Sequence, residues 1–256
     1  MISQIVAGTA LAVFARTAGN SAEAYYNYTI FLTGLTGILA MIPALYFYRR
    51  DKVRRIAGSL IPAQKKVPLS LLEIILLLLA GAGLAQYGNF LMAILQSFIN
   101  SSAYQESMTR ITEGKSLLMM IFWMGIIAPA AEEMIFRWLI YLRLRDWLKM
   151  PVAAVISGLI FGIYHGNIVQ GIYASILGTA FAWILEMSGN IYSSMLLHMG
   201  ANIWSLVITE YALDLFSMKY GVQILILIYL ILLAGVVCCL THFEKVYSVR
   251  KKKRMI

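Results

Sequence analysis

SLLMMIFWMGIIAPAAEEMIFRWLIYLRLR, residues 116–145, decides the fold. It is apolar for long enough to cross a bilayer, which takes roughly 20 residues. Yet it carries Glu132, Glu133 and Arg137 in its interior and closes on Arg143 and Arg145. Lipid accepts a helix because a helix satisfies its own backbone hydrogen bonds. Ionisable side chains are accepted only at a cost, so inside a span they mark function by default. The stretch reads as one span of a membrane protein with a polar interior.

Seven further stretches have the same apolar character: 2–15, 27–48, 71–97, 151–165, 170–187, 190–209 and 221–241. Composition agrees. Of the 256 residues, 61% are hydrophobic and 13% charged, where a soluble domain is about a quarter charged. A soluble globular domain and a disordered chain are both excluded. So is a disulfide scaffold, because Cys238 and Cys239 are adjacent in an apolar run. Stretch 2–15 lacks a basic start and is followed by Arg16 and Thr17 rather than small residues, so it reads as a span, not a signal peptide.

The formal charge of +9 does not point to nucleic acid, because no basic segment carries interleaved aromatics on a polar face. The cations sit at the ends of apolar blocks. Segments 49–66, 143–149 and 245–254 hold sixteen of the 21 Lys and Arg. Eight alternating spans put all three segments on one side and leave Arg16, Arg110, Lys115 and Lys219 on the other. The positive-inside bias then makes both termini cytoplasmic. Losing any span between the clusters would set them on opposite sides. The fold expected is all-α: a multi-pass membrane helix bundle of about eight transmembrane helices. It forms a single integral-membrane domain over 1–256, with a core at about 116–209 and a basic cytoplasmic tail at 244–256. Glu73, Glu186 and His242 lie at helix ends, where side chains can snorkel to the interface.

The mid-membrane polar residues are Glu132, Glu133, Arg137, His165, His198 and Asn202. At about 1.5 Å per residue, Glu132 lies about 16 Å above Arg143, His165 about 21 Å above Pro151 and His198 about 12 Å above Asn190. All three fall near the midplane of a core about 30 Å thick, as one shared site requires. Glu133 and Arg137 are four residues apart and can pair along the helix. Glu132 points about 100° away, towards Ala128, Ile135, Phe136 and Leu139, so it needs a partner from another helix. Pro129 removes a backbone donor just before the two acids and predicts a bend. Gly158, Gly162 and Gly166 form a small-residue stripe that faces Ala174, Gly178 and Ala182 for close packing. Phe161 and His165, and His198 and Asn202, are again four apart.

Two histidines, a free carboxylate and an amide are the parts of a hydrolase. A carboxylate suits a general base acting on water, a histidine can share that water or relay its proton, and a histidine with an amide can stabilise a developing oxyanion. No Ser or Cys is partnered for nucleophilic attack, and there is no HExxH. Glu132, His165 and His198 can equally supply three ligands to a divalent metal with an open position.

Glu132-Glu133-x-x-x-Arg137, Phe161-x-x-x-His165 and His198-x-x-x-Asn202, in this order on successive apolar segments, resemble the CPBP family, also called ABI. That family includes the type II CAAX prenyl endopeptidases and bacterial relatives tied to bacteriocin processing and immunity. The resemblance implies an intramembrane endopeptidase. In it Glu132 is the base that activates water with His165, and His198 and Asn202 form the oxyanion hole. Glu133, Arg137 and Phe161 are supporting groups. No cofactor is expected to be essential, with zinc or another divalent metal on Glu132, His165 and His198 as the alternative. The expected partners are lipids and a membrane-associated peptide or small protein, such as a pheromone or bacteriocin precursor. Nothing in the chain indicates a prenylated substrate, and the minimal loops fit a bacterial plasma-membrane protein. Two other readings compete: a non-enzymatic immunity factor or scaffold, and a small transporter, although transporters usually show an internal repeat and none is evident.

Overall fold

A computed structural model describes residues 21–58, 68–99 and 102–253. These form eight helices and no strand: α1 (Ser21–Ala57), α2 (Leu71–Phe98), α3 (Ser102–Thr112), α4 (Leu117–Arg145), α5 (Met150–Tyr164), α6 (Ile168–Ser188), α7 (Tyr192–Ser217) and α8 (Gly221–Lys253). The protein is an all-α, multi-pass membrane helix bundle. Five helices are long and apolar enough to cross a membrane: α1, α2, α4, α6 and α8. α5 is a shorter apolar helix. α7 is long enough but carries His198, Asn202, Glu210 and Asp214. The expected span at 2–15 lies outside the described residues.

Local signals set the helix ends. Ser70 and Glu73 form a reciprocal capping box at the start of α2, which satisfies backbone donors that the first turn cannot. Ser116 caps α4 and Asn167 caps α6 through the side chain alone, accepting from the Met119 and Gln170 N–H groups. Several boundaries differ from the sequence reading. α7 runs past 209 to Ser217. α1 runs past 48 to Ala57 and α8 past 241 to Lys253, because Arg and Lys are good helix formers and continue the helix out of the apolar block. The polar stretch 98–115 contains α3, a helix of its own.

The buried centre is built from Leu77 of α2, Phe136 of α4, Phe161 of α5, Leu177 and Phe181 of α6, Leu197 of α7 and Phe243 of α8. Ile226, Leu227, Leu230 and Ile231 of α8 and Leu39 and Ile42 of α1 are exposed, as lipid-facing surfaces must be. The glycine stripe of α5 packs as expected over two of its three members. A Cβ on Gly158 or Gly162 would fall on the backbone oxygen of Ser175 or Gly171 in α6. Gly166 is not part of that contact; it takes φ +70° in the turn after α5, where a side chain would be strained.

The basic segments meet at one end of the bundle. Arg143 donates to Asp51 at 2.6 Å, Arg55 to Asp146 at 2.6 Å and Arg54 to the same carboxylate at 3.2 Å. Glu186 of α6 accepts from Tyr141 Oη at 2.8 Å and from Arg145. Arg250 of α8 donates to the Glu186 and Met187 carbonyls that end α6. Up to Lys253 the tail is therefore helical, and Arg250 docks it on α6, more than a bare topology anchor would. Glu73 and Glu186 do not snorkel freely: Glu73 caps α2 and meets His242 Nε2 at 3.2 Å, and Glu186 is held as above.

Candidate active site

The backbone of α4 changes register twice around its two acids. It is a π-helix over Ile121–Ile127, an α-helix over Ala128–Glu133 and a π-helix again over Met134–Tyr141. π turns are rare and often occur at functional sites. The irregularity expected at Pro129 takes this form: a change of hydrogen-bond register, with the proline in the first turn of the α segment, where its missing N–H is tolerated.

Glu133 and Arg137 are fully buried and lie 3.1 Å apart, the pairing their spacing predicts. Neither is satisfied by the other alone. The guanidinium nitrogens make no aligned hydrogen bond among the described residues, and Glu133 Oε2 likewise has none. The guanidinium carbon instead lies 4.5 Å from the centre of the Phe161 ring and 5.2 Å from that of Phe181, positions suited to cation–π attraction.

His198 joins the two acids. Its Nδ1 lies 3.1 Å from Glu133 Oε1, and its Nε2 lies 3.7 Å from Glu132 Oε2. A carboxylate only accepts, so Nδ1–H donates to Glu133 and Nε2 faces Glu132. The ring is clasped by Phe181, stacked at 4.5 Å, and Phe161, edge-on at 5.6 Å. Thus Glu132 obtains its partner from another helix, as its face requires. Its side chain keeps 21% exposure where Glu133 has none. Of the two neighbouring acids, one is locked and one has access.

His165 stands at the C-terminal end of α5, and its Nδ1 lies 2.8 Å from the Phe161 carbonyl. A carbonyl only accepts, so Nδ1–H donates and Nε2 is left to act elsewhere. It lies on the same side of the bundle as His198, near the Glu132 carboxylate. Phe161 packs edge-on against His165 at 4.7 Å, so this one ring touches both histidines. Asn202 does not touch the acids; its Nδ2 donates to the Met124 carbonyl of α4 at 2.9 Å. Glu133 thus contacts both Arg137 and His198, and His198 also reaches Glu132, with Asn202 one turn further along α7.

The sequence reading missed two neighbours. Phe181 clasps His198, yet in sequence it is one apolar residue among many on α6. Tyr164 packs on Phe136 and His165 at 5.2 and 5.8 Å; its place beside His165 was the available signal. Among the described residues no group of three or more His, Cys, Asp or Glu is arranged to hold a metal.

Residues 114–204 match the family model described as Type II CAAX prenyl endopeptidase Rce1-like. This stretch is similar to the CPBP family, in which the type II CAAX prenyl endopeptidases stand. The matched stretch holds every side chain described above for the site. Over 89 residues it is 28% identical to a Bacillus subtilis (strain 168) protein named "Putative membrane peptidase YdiL". That similarity covers 35% of this chain and 36% of the relative, so the chain spans about a third of the relative it matches. No solved structure matches.

Proposed function

We propose that this protein is, like the family its core resembles, an intramembrane endopeptidase acting on a membrane-associated peptide or small protein. The observation that carries the reading is the asymmetry of the paired acids. Glu133 is buried between Arg137 and His198, whereas Glu132 is partly exposed beside two imidazoles. A surplus carboxylate with access, in a chain that otherwise excludes water, suits a general base better than a structural pair.

In this reading water attacks the scissile carbonyl carbon while Glu132, assisted by His165, accepts a water proton. The carbonyl electrons move to oxygen. The resulting oxyanion is met by an Asn202 N–H and by His198 Nε2–H when the imidazole is protonated. Collapse expels the amine, which takes the proton back from Glu132. Glu133 and Arg137 act through His198: the bond to Nδ1 fixes which nitrogen faces the reaction, much as a buried acid orients a catalytic histidine. In this reading no step is routed through a metal.

The test is cleavage of internally quenched apolar peptides, with and without a farnesyl group, by purified protein in detergent. Glu132→Gln should lower the rate by roughly 10²–10⁴ with unchanged unfolding temperature, and a chelator should leave the wild type active. Full cleavage by Glu132→Gln overturns the base assignment. A biological activity that survives Glu132→Gln supports a non-enzymatic scaffold or immunity role instead.

A further inference from the structure

We infer that Pro129 is a positioning residue for Asn202: by withholding a backbone donor it leaves the Met124 carbonyl to the Asn202 carboxamide, which is thereby fixed at the site. The inference rests on the reading in which Asn202 meets the oxyanion.

The argument begins in the π segment. Ala128 N–H donates to the Trp123 carbonyl, five residues back. The next bond in that register would run from residue 129 to Met124. Residue 129 is proline and has no N–H. The N–H of Ala128, which an α turn would give to Met124, is already spent on Trp123. The Met124 carbonyl is thus orphaned by the chain itself, inside a span where unpaired backbone groups are costly. Asn202 Nδ2 meets it at 2.9 Å.

Close approach of the helices makes that reach possible. A Cβ on Gly125 would lie 2.9 Å from Ile203 Cγ1, so the glycine after Met124 admits the residue after Asn202. The consequence is directional. A carbonyl only accepts, so it selects the NH2 end of the carboxamide and fixes the amide plane. One N–H goes to Met124, and the other stays uncommitted among the described residues. His198, four residues earlier and so on the same face, faces Glu132. The break in α4 therefore orients a donor on α7, and a residue with no reactive group shapes the site.

A double-mutant cycle in the full-length protein in detergent tests this. Any residue other than proline at 129 restores the donor, so Pro129→Ala competes with Asn202 for Met124. In the wild-type background Asn202→Ala should lower the unfolding temperature clearly. In the Pro129→Ala background it should lower it much less. Additive losses overturn the inference. Pro129→Ser serves in the same cycle if Pro129→Ala does not fold. Kinetics on the quenched peptide separate positioning from mere stability. Pro129→Ala should lower kcat by roughly ten- to a hundredfold with KM unchanged, and should add no further loss to Asn202→Ala. If Asn202→Ala lowers kcat and Pro129→Ala does not, the inference fails and the oxyanion reading stands. If Asn202→Ala leaves kcat untouched, the oxyanion reading fails and takes the positioning role with it.

Discussion

Helix α4 carries charged groups at two levels, and the two levels are built to different rules. At the basic end three carboxylates are matched: Asp51 with Arg143, Asp146 with Arg55 and Arg54, Glu186 with Arg145 and Tyr141. These contacts tie α1, α4 and α6 together, and Arg250 adds α8. Mid-bundle, two adjacent acids face one arginine and two histidines. One acid is consumed by the arginine and a histidine, and the other keeps access. A matched network resists motion and holds helices in register. A network with one acid left over holds its shape through the matched part and can spend the remainder on protons. The same residue types thus do opposite work a few turns apart.

If the mid-bundle pair is the matched part, breaking it should cost more than any change at the basic end. Arg137→Met leaves Glu133 charged and fully buried, which should destabilise the protein by about 3–5 kcal/mol. Thermal unfolding in detergent would show this. Glu133→Gln combined with Arg137→Met should regain much of the loss, because no uncompensated charge remains. A single variant as stable as the wild type would erase the distinction between the two levels.

Asp146→Asn probes the other level. It weakens the short bond to Arg55, whose side chain is only 3% exposed. Loss of a charge-assisted hydrogen bond of this kind should cost about 1.5–3 kcal/mol. Peptide cleavage per folded molecule should stay unchanged. A matching fall in specific activity would mean that the basic end belongs to the site after all.

The coarse architecture was legible because lipid imposes simple rules. Apolar length gave the spans, and the grouping of Arg and Lys placed three segments together, where Asp51–Arg143, Arg55–Asp146 and Arg250–Glu186 now join them. The Glu133–Arg137 pair followed from helical spacing, and the outside partner of Glu132 followed from its face. Three things were not legible. The π segments of α4 arise from backbone register, which no residue pattern announces. The Asn202–Met124 bond depends on that register. The clasp of Phe181 on His198 depends on which of many apolar residues of α6 faces α7. In each case the deciding information is a relation between helices, or a shift within one, that periodicity does not encode. The same holds for Glu186 and Glu73, whose place at helix ends suggested free snorkelling and whose partners come from distant helices.

The smallest effect sharpens the comparison within a single carboxylate. Asp146 accepts from two arginines next to each other in α1: Arg55, at 2.6 Å and almost wholly buried, and Arg54, at 3.2 Å with its side chain 62% exposed. The charges are the same and the acceptor is the same, so only burial and geometry differ. Water and salt screen the exposed pair, and holding a long side chain in one place costs entropy. Arg54→Ala should therefore change stability by only about 0.2–1 kcal/mol, shrinking further as salt is raised. Arg55→Ala, which strips a buried carboxylate of its near partner, should cost several times more and respond little to salt. Unfolding temperatures of the two variants at low and high ionic strength give the answer. Equal losses would show that proximity of charge, rather than its enclosure, holds α1 to α4, and the contrast drawn between the two levels of the helix would lose its physical basis.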